Sequence, residues 1–94
     1  MTETELKKKV LSMIKREFPK VWCYKTADRF AAGIPDLLLC VNGHLVGIEL
    51  KRPGGKPRPL QLQIIEKIRA AGGQAMWTDS VDRARHFLCD CQLL

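Results

Sequence analysis

Ninety-four residues, 46% of them apolar, give enough chain for one core and exclude a disordered polyelectrolyte. No apolar run approaches the roughly 20 residues of a membrane span. The start, Met1-Thr-Glu-Thr-Glu5, is acidic and then basic, with no apolar segment of a secretory leader. The formal charge of +6, from 16 basic and 10 acidic residues, is a modest excess that alone implies only a soluble surface. Cys23, Cys40, Cys89 and Cys91 lack CxxC spacing and read as reduced thiols of a cytoplasmic protein, with Cys89-x-Cys91 a weak metal or redox hint at best.

Residues 3 to about 18 predict a helix, because Leu6, Val10, Met13 and Ile14 recur at helical spacing. Thr2 suits its N-cap, and Glu3 and Glu5 suit the positive end of its dipole. At about 100° per residue Glu3 falls inside the apolar stripe, so it is either a frayed first-turn acid or part of a site. Lys7, Lys8, Lys9, Lys15 and Arg16 are assigned to the outer faces. Pro19 ends the helix, and Val21–Lys25 reads as a short strand rich in aromatics. Residues 27–33 form a loop whose Ala31, Ala32 and Gly33 permit close approach of another backbone.

The stretch from Gly33 to Lys51 carries the strongest local signal. Two apolar runs, Leu37–Val41 and Leu45–Leu50, flank Asn42-Gly43, the dipeptide favoured in a type I′ hairpin turn. A two-residue turn there sets Val41 opposite His44, Cys40 opposite Leu45 and Asp36 opposite Glu49. Like charges directly opposite are destabilising. Lys51, two residues beyond Glu49, projects from the same face. Both strands are apolar on both faces, which predicts burial on both and makes the charges costly. An ordinary edge salt bridge between Glu49 and Lys51 is one reading. A divalent cation held by Asp36 and Glu49 is the other, since hard cations take carboxylate oxygens.

Arg52-Pro-Gly-Gly-Lys-Pro-Arg-Pro59 follows, a loop by its prolines and glycines. Its Arg52, Lys56 and Arg58 make it a cationic arm beside the acid pair, suited to a phosphodiester backbone or simply to solvent. A second helix runs from Leu60 to Ala71, with Pro59 in its first turn and Gly72-Gly73 as its stop. Leu60, Ile64, Ile68 and Ala71 are its predicted inner stripe, with Ile65 at the edge and Leu62 outward as a possible self-association contact. Gln61 lies within that stripe, placed to bind a phosphate, to orient Lys51, or merely to bond backbone at the core margin. Residues 74–78 predict the last strand. Asp79 or Ser80 caps a final helix with Val81, Ala84, Phe87 and Leu88 inward. The tail from Cys89 ends in Leu93-Leu94, either frayed or docked on a second subunit. His44 and His86 form no ligand cluster. No phosphate-binding glycine motif or Ser/His/Asp set is present, so no nucleotide cofactor is expected.

Pro35-Asp36 followed by Glu49-Leu50-Lys51 resembles the PD-(D/E)xK nuclease motif. The wider words G-I-P-D-L-L-L, I-E-L-K-R-P-G-G-K and P-L-Q, and the helix ending A-A-G-G, are similar to the virus-type replication-repair nuclease (VRR-NUC) family over nearly the whole chain. The resemblance implies an α/β fold with a restriction-endonuclease-like core, αβββαβ plus a C-terminal helix on a mixed central sheet, as one domain over residues 1–94. It implies that Asp36 and Glu49 bind Mg2+ or Mn2+ with the Leu50 carbonyl, and that Glu3, the family's first-helix acid, joins them at the metal. Lys51 would orient the attacking water, and Gln61 matches the glutamine after the basic loop. With those three acids set aside, 16 basic residues face seven acidic ones, a balance that favours a polyanion. Lys25, Arg29, Arg52, Lys56 and Arg58 are the candidate DNA contacts. The implied activity is metal-dependent DNA endonuclease cleavage, of the stand-alone phage and bacterial type associated with homodimers that resolve four-way junctions. Flap or nick cleavage and a non-catalytic DNA-binding module are the alternatives.

Overall fold

Thr2 opens the first helix with a reciprocal cap. Its hydroxyl accepts the Glu5 N–H at 3.1 Å, and the Glu5 carboxylate accepts the Thr2 N–H at 3.3 Å, pairing two end groups that a helix otherwise leaves open. The computed structural model describes residues 1–27 and 32–94. The helix, α1, spans Glu3–Glu17 and stops short of Pro19. It is followed by β1 (Trp22–Lys25), β2 (Leu37–Val41), β3 (His44–Leu50), α2 (Pro59–Ala70), β4 (Gln74–Thr78) and α3 (Val81–Cys91). No described helix is long and apolar enough to cross a membrane.

The strands lie in the order β1-β2-β3-β4. β1–β2 and β2–β3 are antiparallel, and β3–β4 is parallel. A parallel pair needs a long crossover, which α2 supplies. This is the mixed-sheet α/β order expected from the sequence. The hairpin turns on Asn42 and Gly43, both at positive φ, 50° and 80°, as a type I′ turn requires. The register follows: Val41 pairs His44, Cys40 pairs Leu45, and Leu37 pairs Ile48. One more step sets Asp36 against Glu49.

One sheet face is sealed by α1 and α3. Leu6, Val10, Met13 and Ile14 meet Leu37, Leu39, Val46, Ile48 and Leu50, with Ala84, Leu88 and Cys91 closing the layer. Each large side chain so buried contributes roughly 1.5–3 kcal/mol. The opposite face is covered differently. α2 packs mainly on β4 and β3, and among the described residues β1 and the outer half of β2 are largely open on that side. Trp22 and Tyr24 are 61% and 53% exposed there, Leu45 is 50% exposed, and Cys40 is exposed. The expectation that both hairpin strands are buried on both faces therefore holds only near the acid pair.

The same half-coverage corrects the face assigned to α2. Its buried residues are Gln61 and Ile65, whereas Leu60 is 44% exposed and Ala71 is exposed. The helix turns Gln61 and Ile65 fully inward and half-buries Ile64 and Ile68, so of the predicted stripe only Leu60 and Ala71 fall outside. The predicted tail is also shorter than read: α3 continues through buried Cys91, and Leu93 and Leu94 donate their N–H groups to Asp90 and Cys91 carbonyls. Asn42 Nδ2 ties this end to the hairpin by donating to the Gln92 carbonyl at 2.7 Å. Of the two candidate caps, Ser80 is the one used, its hydroxyl accepting the Arg83 N–H.

Gly47 is a packing requirement. A Cβ there would lie 3.0 Å from the Pro35 ring and 3.3 Å from Ile68. Pro35 is buried and carries Asp36. We expect Gly47→Val to lower the unfolding free energy by about 2 kcal/mol or more, as overpacked cores do, measured by urea denaturation. An unchanged midpoint would mean that Pro35 moves freely.

Candidate active site

The site is built where the hairpin ends, and its two acids are held by each other's backbone. Asp36 Oδ2 accepts the Leu50 N–H at 2.9 Å, and Glu49 Oε1 accepts the Asp36 N–H at 3.2 Å. Each carboxylate thus has one oxygen fixed by the opposite strand. The Asp36 backbone is anchored from β1: its carbonyl accepts the Thr26 N–H at 2.9 Å, and the Thr26 hydroxyl donates to the Pro35 carbonyl at 2.7 Å.

The remaining oxygens meet cations and an amide. Lys51 Nζ stands 3.4 Å from Glu49 Oε2 and 3.9 Å from Glu3 Oε1. Gln61 Nε2 donates a short hydrogen bond to Glu49 Oε2, and Gln61 Oε1 accepts the Arg58 N–H at 2.8 Å. Gln61 therefore caps α2 and clamps Glu49 with one side chain. Among the described residues it makes no hydrogen bond to Lys51, although both meet Glu49 Oε2. Lys51 is held by its backbone as well, donating its N–H to the Thr78 carbonyl at 3.0 Å.

Glu49 is the electrostatic centre. Its residue is 2% exposed. Burial first, and then the neighbouring Asp36 charge, push its carboxyl up to about 7, against the pull of Lys51. Even with Lys51 and Gln61 on Oε2, burial and the Asp36 charge leave the ionised form unfavoured, a balance that a bound cation would reverse. Glu3 lies nearby but its side chain is 43% exposed and reaches Lys51, not the other two acids. Among the described residues no three His, Cys, Asp or Glu side chains converge on one point. Two carboxylates still suffice for a Mg2+-like ion, which keeps several waters and binds through one or two carboxylates. The donor chemistry fits. Leu50 contributes its N–H to Asp36; its carbonyl is the further oxygen the sequence reading assigned.

Sequence reasoning missed Lys7. It was placed on an outer face of α1, yet its Nζ is 3.1 Å from Asp36 Oδ1. The signal was present: Lys7 follows Glu3 by four residues, so both share one helix face. Of the candidate nucleic-acid contacts, Lys25, Arg52, Lys56 and Arg58 are all exposed. Lys25 ends β1 opposite Leu37, one residue from Asp36, and Arg52 directly follows Lys51. The basic loop is partly ordered by a turn in which the Gly55 N–H donates to the Arg52 carbonyl at 2.8 Å, with Gly54 at φ 83°. Arg29 lies outside the described residues.

An α/β sheet that carries a proline–aspartate at one strand and Glu-x-Lys at the next defines a fold and motif that comparison with known proteins makes specific. The chain is similar in structure to a VRR_NUC domain, with a TM-score of 0.73 and 24% identity over 94% of this chain and 96% of that one. It has the VRR-NUC fold. It is also 38% identical over 60 residues to the "Putative nuclease p44" of Acyrthosiphon pisum secondary endosymbiont phage 1, an alignment spanning 63% of this chain and 64% of that protein, just under two thirds of its length. No family model matches the chain.

Proposed function

We propose that the protein is a VRR-NUC-type nuclease, a metal-dependent DNA endonuclease that hydrolyses phosphodiester bonds. The observation that carries this reading is the cross-bonded acid pair, with Asp36 and Glu49 each held by the other's strand and Lys51 on Glu49. Asp36, Glu49 and the Leu50 carbonyl would hold Mg2+ or Mn2+, which supplies a Lewis acid and an acidified water. Lys51 orients the attacking water and offsets negative charge developing at phosphorus. Glu3 pairs with Lys51, and Gln61 keeps Glu49 in one rotamer. Lys25, Arg52, Lys56 and Arg58 grip the backbone, with Arg29 assigned to the same role. The relative's name and the fold support nuclease chemistry.

The finer reading is a homodimeric four-way (Holliday) junction resolvase of DNA repair, working in the cytoplasm as a single domain. Symmetric cutting needs two sites and hence a twofold pair. The open sheet half bearing Trp22, Tyr24 and Leu45, together with exposed Leu62, supports a second copy.

A cleavage panel tests both levels. End-labelled four-way junction, flap, duplex and single strand are incubated with Mg2+, Mn2+ or EDTA. Paired symmetric junction cuts, abolished by EDTA, with a light-scattering mass of twice 10.7 kDa, are expected. Cuts confined to flaps or single nicks keep the nuclease and discard the resolvase. Metal-independent binding without any cut leaves a DNA-binding module.

A further inference from the structure

Lys7 takes no part in the chemistry above. Its ammonium stands 3.1 Å from Asp36 Oδ1, with the two side chains 26% and 21% exposed. Asp36 Oδ2 is already committed to the Leu50 N–H. Oδ1 is therefore the Asp36 oxygen that faces an incoming ligand, and Lys7 is seated on it. Lys51 has the other assignment, standing on Glu49 Oε2 and Glu3 Oε1. The two ammoniums divide the three acids between them, Lys7 on Asp36 and Lys51 on Glu49 and Glu3, with Glu3 and Lys7 contributed by adjacent turns of α1.

We propose that Lys7 is a positioning residue of this site: its ammonium neutralises Asp36 until a divalent cation takes Oδ1, and then turns toward the bound phosphate. The inference rests on the reading of Asp36 and Glu49 as metal ligands. An ammonium and a divalent cation repel strongly at the distances a shared oxygen imposes, so both do not occupy Oδ1. A partly exposed ion pair is held weakly enough to yield. The lysine stem is long and flexible, so its head can swing while α1 stays in place. α1 itself is fixed by Leu6, Val10 and Met13 in the core. Lys7 therefore links two events on one oxygen: loss of its ion pair, and delivery of a cation to the place where phosphate charge gathers.

The test is a calorimetric titration of the full chain with Mn2+ alone, at fixed pH and ionic strength, on wild type, Lys7→Met and Lys7→Arg. Lys7→Met removes the competing charge while keeping the stem, and is expected to bind Mn2+ about three- to tenfold more tightly. Lys7→Arg keeps a competing cation and is expected to stay near wild type. A merely structural lesion weakens metal binding, so tightening marks the proposed role. Lys7→Gln replaces the methionine variant should the latter lose the wild-type circular dichroism spectrum. Wild type that binds Mn2+ while Lys7→Met binds no more tightly, or Lys7→Arg that tightens equally, overturns the role of Lys7 alone. Wild type that takes up no Mn2+ overturns the metal reading and this inference with it.

Discussion

Asp36→Ala and Glu49→Ala should each reduce metal-dependent DNA cleavage by about a thousandfold or more, while DNA affinity in Ca2+-free buffer stays equal to wild type or rises. Each removes one of two carboxylates on which the proposed ion depends, and at about 1.36 kcal/mol per decade a thousandfold loss corresponds to about 4 kcal/mol of transition-state stabilisation. Binding moves the other way because both acids repel phosphate. The two variants differ in what they leave behind. Asp36→Ala releases the Leu50 N–H and Lys7, whereas Glu49→Ala releases Gln61 and Lys51 from a buried position. Glu49→Gln, nearly isosteric, separates lost chemistry from lost packing. Single-turnover cleavage with filter-binding controls measures both quantities. Either alanine variant cutting at the wild-type rate would remove the acids from the chemistry.

The second large effect is on stability. In EDTA, the protein should be more stable at pH 5 than at pH 8. The Glu49 carboxyl is raised to about 7 in the fold from 4.5. The folded state therefore binds the proton more tightly than the unfolded chain. The stabilisation this proton brings is fully present below about pH 4.5 and is lost as pH rises through about 7. A shift of that size amounts to up to roughly 3 kcal/mol, or a fall on the order of 10–20 °C in Tm between the two pH values for a domain this small. Glu49→Gln has no such proton, so its Tm should be nearly flat over the same range and higher than wild type at pH 8. Saturating Mg2+ should reverse the wild-type trend, because the bound ion favours the ionised carboxylate. Differential scanning fluorimetry at pH 5, 6, 7 and 8, with and without Mg2+, reads all three. Wild type and Glu49→Gln falling in parallel would assign the pH dependence to other groups.

The hairpin could be read from the sequence because its information is local. Asn42-Gly43 specifies a turn, the turn specifies register, and register brings Asp36 to Glu49 with no knowledge of the rest. The capped start of α1 and the limits of β4 follow from equally short signals. What escaped was set by tertiary coverage. Nothing in the chain states that α2 lies over two strands and not four, so the exposure of Cys40 and Leu45, and of Leu60 and Ala71 at the two ends of the α2 stripe, could not be assigned. Lys7 escaped for a different reason. A lysine beside a run of lysines reads as surface, although its helical phase lies close to that of Ile14, and only the arrival of Asp36 from another element gives it a partner.

The sheet order has a consequence for how the molecule fails. β3 carries Glu49 and leads into Lys51, and it is flanked on both sides, by β2 and by β4. Edge strands peel first, and a strand bonded on both sides opens only with the whole molecule. A chain frayed at β1 loses the Thr26 anchor on Asp36 but keeps the hairpin register that opposes it to Glu49, and a chain that has lost β3 has lost the pair altogether. Between those states there is little room for a loosened centre that still cuts but no longer discriminates. Were the proposed cleavage of DNA its task, an all-or-none strand bearing the acids would be a form of containment.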